Sequence, residues 1–93
     1  MDLIKAETRV LREAEIIFHE IEGDTIMLSL EKGEYYALPS IGTRIWQMLE
    51  VPHTAVEICE ALVNDFDISL EQCVTDVLVL LNQMAEKAII RQV

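Results

Sequence analysis

The chain has 93 residues, of which 52% are hydrophobic, and a formal net charge of −10. This length gives room for one domain with one core, and the apolar content excludes a globally disordered chain. The 17 acidic residues outnumber the 7 lysines and arginines. That balance opposes a nucleic-acid partner, because affinity for nucleic acids comes mainly from cations that neutralise phosphates.

The termini and apolar runs give no sign of a membrane segment. No apolar run is long enough to span a bilayer, and the first five residues lack the basic start of a signal peptide. We therefore expect a cytoplasmic protein with no membrane partner.

Residue types that carry catalysis or bind metals are sparse and scattered. Cys59 and Cys73 have no further zinc ligands at a suitable spacing. We predict buried thiols, with a disulfide or redox role as the alternative. His19 and His53 stand without motif partners, and no glycine-rich phosphate loop is present. The sequence therefore predicts a protein that is not an enzyme and that uses no metal or cofactor.

The first half of the chain carries strand signals. The apolar residues of segment 1–14 follow neither a helical nor a strand period, so this segment could be a loosely held arm. Residues 16–21, 25–30 and 35–38 are rich in branched and aromatic side chains, and glycines mark the turns between them. In the second of these segments Ile26, Leu28 and Leu30 share one face. The pattern predicts a three-stranded antiparallel meander.

After Pro39 the apolar period becomes helical. Ser40 is the expected N-cap of the first helix. Two later helices begin at capping-box patterns, Thr54-x-x-Glu57 and Ser69-x-x-Gln72. The last helix covers about residues 70–87, and residues 88–90 form a short extended tail. Strands followed by three helices predict an α+β fold of the winged helix-turn-helix type.

The predicted last helix is more apolar than one packing contact requires. Its apolar arc covers roughly 160°, against about 100° for an ordinary surface helix. The expected core stripe comprises Leu70, Val74, Val77, Leu81, Met84 and Ala88. A central helix packed between the sheet and the other helices would explain this width. An open groove that takes a partner's apolar side chains would also explain it.

The third predicted strand comes last in the meander and is a candidate for a sheet edge. An edge strand exposes N–H and C=O groups with which an added strand can pair. Tyr35 and Tyr36 would offer amphipathic contact area beside that edge. The alternative is that one tyrosine packs inward and the other covers the surface.

An ordered set of motifs runs from about Ile16 to the end of the chain. After a turn with Gly23 and Asp24 and a leucine-rich strand, the motifs are Gly33-Glu34-Tyr35-Tyr36-Ala37-Leu38, Gly42-Thr43-Arg44-Ile45-Trp46, Thr54-x-x-Glu57-Ile58, Asp65-Phe66-Asp67-Ile68, Asp76-Val77 with Leu80-Leu81, and Met84-Ala85-Glu86. In this order they resemble the PqqD-like family. Pro39 departs from the family pattern, which usually has Asn or Asp there, and the family's Gly near Lys87-Ala88 is missing.

Members of that family act as precursor-peptide recognition elements. The resemblance implies a winged-helix-like fold whose third strand accepts the leader of a ribosomally made precursor peptide as an added antiparallel strand. The leader would then lie in a groove against the third helix. Carried over by position, the peptide-binding residues are Tyr35, Tyr36, Ala37, Leu38, Cys73, Asp76, Val77, Leu80 and Met84.

Within the family, the sequence is similar to the free-standing element of lasso-peptide systems. There a separate protease removes the leader and a cyclase closes the ring, so the implied partners are a leader region and a leader protease or other modifying enzyme. One alternative is a pyrroloquinoline quinone-type peptide chaperone for a radical-SAM enzyme. Another is a homodimeric structural or regulatory winged-helix protein. A DNA-binding winged helix is opposed by the charge.

Overall fold

A small antiparallel sheet and three helices make up the protein, seen in a computed structural model that describes residues 3–93. The elements in chain order are β1 (Val10–Arg12), β2 (Ile16–Ile21), β3 (Asp24–Ser29), β4 (Glu34–Leu38), α1 (Ser40–Met48), α2 (Ala55–Leu62), α3 (Leu70–Glu86) and β5 (Ile90–Gln92). The main sheet has the strand order β2-β3-β4, with antiparallel neighbours. The predicted α+β class, with a three-stranded meander followed by three helices, is confirmed.

The turn between β2 and β3 follows from two residues. Ile21 pairs with Asp24, so that only Glu22 and Gly23 connect the strands. Both have positive φ, 51° and 87°. A two-residue turn with this geometry matches the right-handed twist of the strands it joins. The predicted turn at residues 22–24 is confirmed.

The buried face of β3 carries two hydroxyl side chains, Thr25 and Ser29. The alternating apolar residues of this segment lie on its opposite face. Ile26 and Leu28 do share a face, but that face points outward, and Ile26 is 39% exposed. Thr25, Met27 and Ser29 are buried instead. The Thr25 hydroxyl donates a hydrogen bond of 2.7 Å to the hydroxyl of Thr43 in α1. Burial of these polar groups is tolerated because they are hydrogen-bonded.

The N-terminal segment, for which the sequence leaves open a loosely held arm at residues 1–14, packs against the rest of the fold through Ile4 and Val10. Val10 is fully buried, and β1 pairs with β5 in a second, two-stranded sheet. Ile4 is buried as well. Its backbone N–H donates to the side-chain oxygen of Asn82 at 2.9 Å, and the Asn82 amide donates back to the Ile4 carbonyl at 3.2 Å. Met1 and Asp2, which belong to the same expected arm, lie outside the described residues.

The three helix starts differ from one another in how they are capped. The capping box at α2 is confirmed, because the Thr54 hydroxyl accepts from the Glu57 N–H and the Glu57 carboxylate accepts from the Thr54 N–H. At α3 only half of the box forms, since the side chain of Gln72 donates to Asp76 instead. The cap predicted at Ser40 is wrong. Ser40 is the first residue of α1, and its N-cap is Pro39, which has no side-chain hydrogen bond.

The core stripe of α3 starts one turn later than predicted. Leu70 is 43% exposed, whereas Cys73, Val77, Leu81 and Met84 are buried. The core also contains the fully buried Trp46 of α1, Ile58 and Leu62 of α2, and both cysteines. In the part of the chain that the structure describes, no helix combines the length and apolar character needed to cross a bilayer.

The C-terminus of α3 ends sharply although it lacks the expected glycine. The N–H of Ile89 donates to the carbonyl of Met84, and the N–H of Ala88 donates to that of Ala85. These two bonds define a Schellman motif, in which the residue after the C-cap has the left-handed conformation. Ala88 takes that place with φ 57°, a conformation that is costly for a residue with a side chain.

Replacing Ala88 by glycine should therefore stabilise the protein. We expect Ala88→Gly to raise the free energy of unfolding by about 1 kcal/mol, because glycine adopts positive φ without strain. Urea unfolding followed by circular dichroism would measure the change. Ala85→Gly is the matched control, since this residue lies within α3, where glycine should lower stability by about 1 kcal/mol. A loss of stability in both variants would contradict the assigned role of Ala88.

The two cysteines are free and buried, as predicted, and lie on facing helices. Burial raises the pKa of the Cys59 thiol to about 12, and the neighbouring Cys73 and Asp76 contribute in the same direction. A thiol whose pKa is higher in the folded than in the unfolded state stabilises the protein fully below the unfolded pKa of about 9. That contribution is lost as the pH rises from about 9 toward 12.

The free energy of unfolding should therefore decrease over this alkaline range. Each thiol proton held only by the folded state gives a slope of about 1.4 kcal/mol per pH unit. Urea unfolding at several pH values above 9 would measure the slope, and Cys59→Ala should reduce it. An identical slope in Cys59→Ala would show that Cys59 does not carry the effect.

Candidate functional site

β4 lies at an open edge of the main sheet. It pairs with β3 through all five of its residues and is last in the strand order. In residues 3–93 no further strand pairs with its other side. Tyr35 is 74% exposed, Tyr36 is half-buried and Leu38 is buried. One tyrosine therefore packs inward and the other covers the surface, and the backbone edge between them remains available to an added strand.

The C-terminal half of α3 faces this edge across a shallow depression. A cavity of about 250 Å³ lies between the strand and the helix. It is lined by Tyr35, Tyr36, Ala37, Leu38, Leu80, Gln83, Met84, Lys87 and Ile89. Six of the nine sequence-predicted site residues belong to this set, because β4 and the last two turns of α3 run side by side. The depression is bounded by β4 on one side and, on the other, by the apolar Leu80 and Met84 together with the polar Gln83 and Lys87.

A second, mainly apolar cavity of about 300 Å³ is lined in part by the fully buried Ile45 and Leu62, and we call it the deeper cavity. It lies between α1, the segment after α2 and the N-terminal half of α3. Its lining residues are Ile41, Ile45, Leu62, Phe66, Ile68, Cys73, Asp76, Val77 and Leu80. Leu80 lines both cavities, so the two adjoin at this side chain. We call this combined surface the β4–α3 groove.

The structure thus brings all nine sequence-predicted site residues to one groove, although their role in binding stays a prediction. Cys73 and Val77 form part of the floor, and both are buried. Asp76 is the only charged residue of the deeper cavity, and its carboxylate accepts a hydrogen bond of 2.9 Å from Gln72. An apolar side chain of a ligand would lose its water shell in this cavity, which favours binding.

Sequence reasoning missed the wall that α1 and the segment after α2 contribute. Ile41 and Phe66 line the deeper cavity and are 41% and 39% exposed. An ion pair of 2.7 Å between Arg44 and Asp65 holds the segment after α2 against α1, with the Arg44 guanidinium 5.9 Å from the Phe66 ring. In the sequence, the apolar Ile41 and Phe66 lie close to the charged Arg44 and Asp65, which could have indicated a shared surface. Only the fold shows that this surface meets α3.

At the other end of the groove the side chains are polar. The Lys87 ammonium lies 5.1 Å from the centre of the Tyr36 ring. Partial burial raises the pKa of the Tyr36 hydroxyl, and the nearby Glu34 carboxylate, to which the hydroxyl donates a hydrogen bond, raises it further. Tyr36 therefore stays neutral at physiological pH and can present its ring to a ligand.

Groups suited to catalysis do not converge on this groove. Among the described residues, no group of three or more His, Cys, Asp or Glu side chains is placed to hold a metal ion. His19 lies on the outer face of the sheet, and the His53 ring lies 3.1 Å from the carbonyl of Val51. The arrangement offers a backbone edge and an apolar groove, which are features of peptide binding.

Two solved structures share this fold. The structure of TbiB1 in complex with the TbiA(β) leader peptide aligns with a TM-score of 0.81 and 23% identity, covering 87% of this chain and 94% of that chain. A lasso peptide synthetase B1 complexed with its leader peptide aligns with a TM-score of 0.78 and 18% identity, covering 88% and 96%. No curated protein sequence matches the chain.

A protein-family model gives the assignment. The model described as coenzyme PQQ synthesis protein D (PqqD) matches residues 24–90. The matched region starts with β3 and ends at the beginning of β5, so it includes the whole β4–α3 groove. The chain belongs to the PqqD family.

Proposed function

We propose that the protein captures the leader segment of a ribosomally made precursor peptide and presents it to a separate processing enzyme. The observation that carries the proposal is the open edge of β4 beside the apolar wall of α3. Main-chain hydrogen bonds to β4 would supply affinity, and the apolar cavities would select side chains. The two solved structures reported above are both complexes with leader peptides.

The bound leader would extend the main sheet to four strands. It would lie antiparallel to β4, with Tyr35, Tyr36, Ala37 and Leu38 contributing the backbone partners. Leu80 and Met84 would contact its inward side chains in the shallow part of the groove. Cys73, Asp76 and Val77 would surround a side chain that enters the deeper cavity. Because the sheet already exists, the protein needs no rearrangement to accept this strand.

A processing enzyme is needed because the groove itself holds no reactive constellation. The partner we propose is the leader protease, together with the cyclase, of a lasso-peptide-like pathway, since both fold neighbours bind leader peptides and one is named as a lasso peptide synthetase subunit. The family description favours a second candidate, a chaperone for the precursor of pyrroloquinoline quinone. The two candidates share the capture step and differ in the enzyme that follows it.

Leu80→Asp should weaken leader binding strongly. The test uses a leader peptide from a short precursor gene neighbouring this one, and calorimetry measures its Kd. We expect at least about a tenfold increase in Kd, because burying a leucine side chain contributes about 1.5–3 kcal/mol and a carboxylate in its place opposes burial. Val79→Asp is the matched control, because Val79 is the adjacent residue of α3, is 57% exposed and does not line the groove.

The control separates a local effect from a global one. Val79→Asp should leave Kd unchanged, and both variants should keep the circular dichroism spectrum of the wild type. If wild-type protein gives no heat with the leader and no competition, or if both variants lose binding equally, capture by the groove is refuted.

Strand addition should slow amide hydrogen exchange along β4. A bound antiparallel strand would hydrogen-bond the outward-facing N–H groups of residues 34–38, which have no strand partner in residues 3–93. Exchange measured by mass spectrometry or NMR with and without leader should show protection in β4. The open side of β2, the opposite edge of the sheet, is the internal control. Protection at β2 with none at β4 would show that the leader binds the opposite edge of the sheet, which contradicts strand addition at β4.

A further inference from the structure

The arginines and the lysines of the protein differ in whether they form ion pairs with carboxylates. All four arginines form ion pairs with carboxylates: Arg9 with Glu57, Arg12 with Glu50, Arg44 with Asp65 and Arg91 with Glu13. Among the described residues, no carboxylate forms such a pair with any of the three lysines, Lys5, Lys32 and Lys87. In a chain with a net charge of −10, these three ammonium groups are the cations that have no ion-pair partner in the described part of the chain.

Two of the three, Lys32 and Lys87, lie at the same end of the β4–α3 groove, whereas Lys5 lies outside it. The Lys32 ammonium donates to the carbonyl of Glu86 at 2.9 Å, at the C-terminus of α3. The Lys87 ammonium lies over the ring of Tyr36. A carbonyl and a ring orient these groups without forming an ion pair with them. The Glu34 carboxylate lies close enough to Tyr36 to raise the pKa of its hydroxyl, but it forms no ion pair with either lysine.

The opposite end of the groove is negative. Asp76 lines the deeper cavity, and its carboxylate is bonded to the neutral amide of Gln72. Asp76 and Lys87 are separated by about 16 Å along α3, at a rise of about 1.5 Å per residue. An extended peptide covers that distance with about five residues, which is also the length of β4. The groove therefore presents opposite charges to the two ends of a strand laid along it.

The direction of β4 decides which end of an added strand meets which charge. β4 starts beside the C-terminus of α3, where Lys32 contacts Glu86. It ends at Leu38, which packs against Gly42 of α1 next to the deeper cavity. β4 and α3 therefore run in opposite directions. A strand added antiparallel to β4 runs with α3, from Asp76 toward Lys87.

We infer that the groove selects a peptide segment with an acidic side chain on its C-terminal side, placed to contact Lys87 and Lys32. This inference rests on the proposed function and adds the chemistry and the polarity of the ligand. Asp76 disfavours an acidic residue at the N-terminal side of the same segment, because like charges repel. The remainder of the precursor leaves the groove at the β3–β4 turn, where the processing enzyme would receive it.

A displayed library of random peptides tests the inference without knowledge of the natural leader. The full-length protein selects binders from the library. Binders that are lost when Leu80→Asp replaces the wild type are those that use the groove. We expect acidic residues to be enriched in the C-terminal half of these binders. Lys87→Glu combined with Lys32→Glu should remove or invert the enrichment, because both cations become carboxylates.

One selected peptide then gives a quantitative check. Lys87→Glu should raise its Kd about threefold to tenfold at low ionic strength, the range expected for reversing an exposed charge pair, and less at high salt. Lys5→Glu is the matched control, since it changes the net charge equally and Lys5 lies outside the groove. Its Kd should not change beyond the small effect of the net charge.

The outcomes distinguish the inference from the function on which it rests. Groove binders without a charge bias, or with a bias that the lysine variants leave unchanged, overturn the inference and leave peptide capture intact. If acidic residues are instead enriched in the N-terminal half of the binders and this enrichment depends on Lys87, the bound strand runs parallel to β4. That outcome also overturns the inference. If no binder depends on Leu80, the proposed function itself fails.

Discussion

The hydrogen bond between the hydroxyls of Thr25 and Thr43 joins the sheet to the helices, and the geometry of the groove depends on it. Thr43 also donates to the carbonyl of Leu38, the last residue of β4, so that one side chain of α1 ties two strands together. Gly42 permits this close approach, because a Cβ there would lie 3.1 Å from the Cβ of Leu38. With its end fixed on α1, β4 lies beside α3 without being covered by it.

An uncovered strand edge is a liability, because it can pair with any exposed strand, including one of another copy. Here β4 has five residues and begins with Glu34. The net charge of −10 makes any two copies repel each other. These features oppose self-pairing while leaving the backbone accessible. Charge, rather than a covering element, therefore protects the open edge. The edge stays available to a peptide that carries fewer negative charges or whose negative charge lies near Lys32 and Lys87.

Local signals predicted most of the elements, and long-range contacts account for the errors. The turn at Glu22-Gly23 and the capping box at Thr54 depend on neighbouring residues and could be read from the sequence. The inward face of β3 could not, because Thr25 is buried where α1 packs on β3 and its hydroxyl is satisfied there by Thr43. The order of the N-terminal segment depends on Asn82, which is far away in the chain. The same holds for the site: β4 and α3 were identified, whereas the wall around Phe66 exists only through tertiary packing.

The groove separates three tasks that a peptide-binding site must perform. Hydrogen bonds to the β4 backbone are indifferent to side chains, so they give affinity without selectivity. The deeper cavity admits an apolar side chain and is indifferent to the direction of the main chain, because its lining is apolar apart from Asp76. In the proposed capture, the charges at the two ends add to the antiparallel backbone pairing in distinguishing a strand from its reverse. Since β4 and α3 run in opposite directions, the direction of the captured segment also determines where the rest of its chain emerges, and hence the side from which an enzyme must approach.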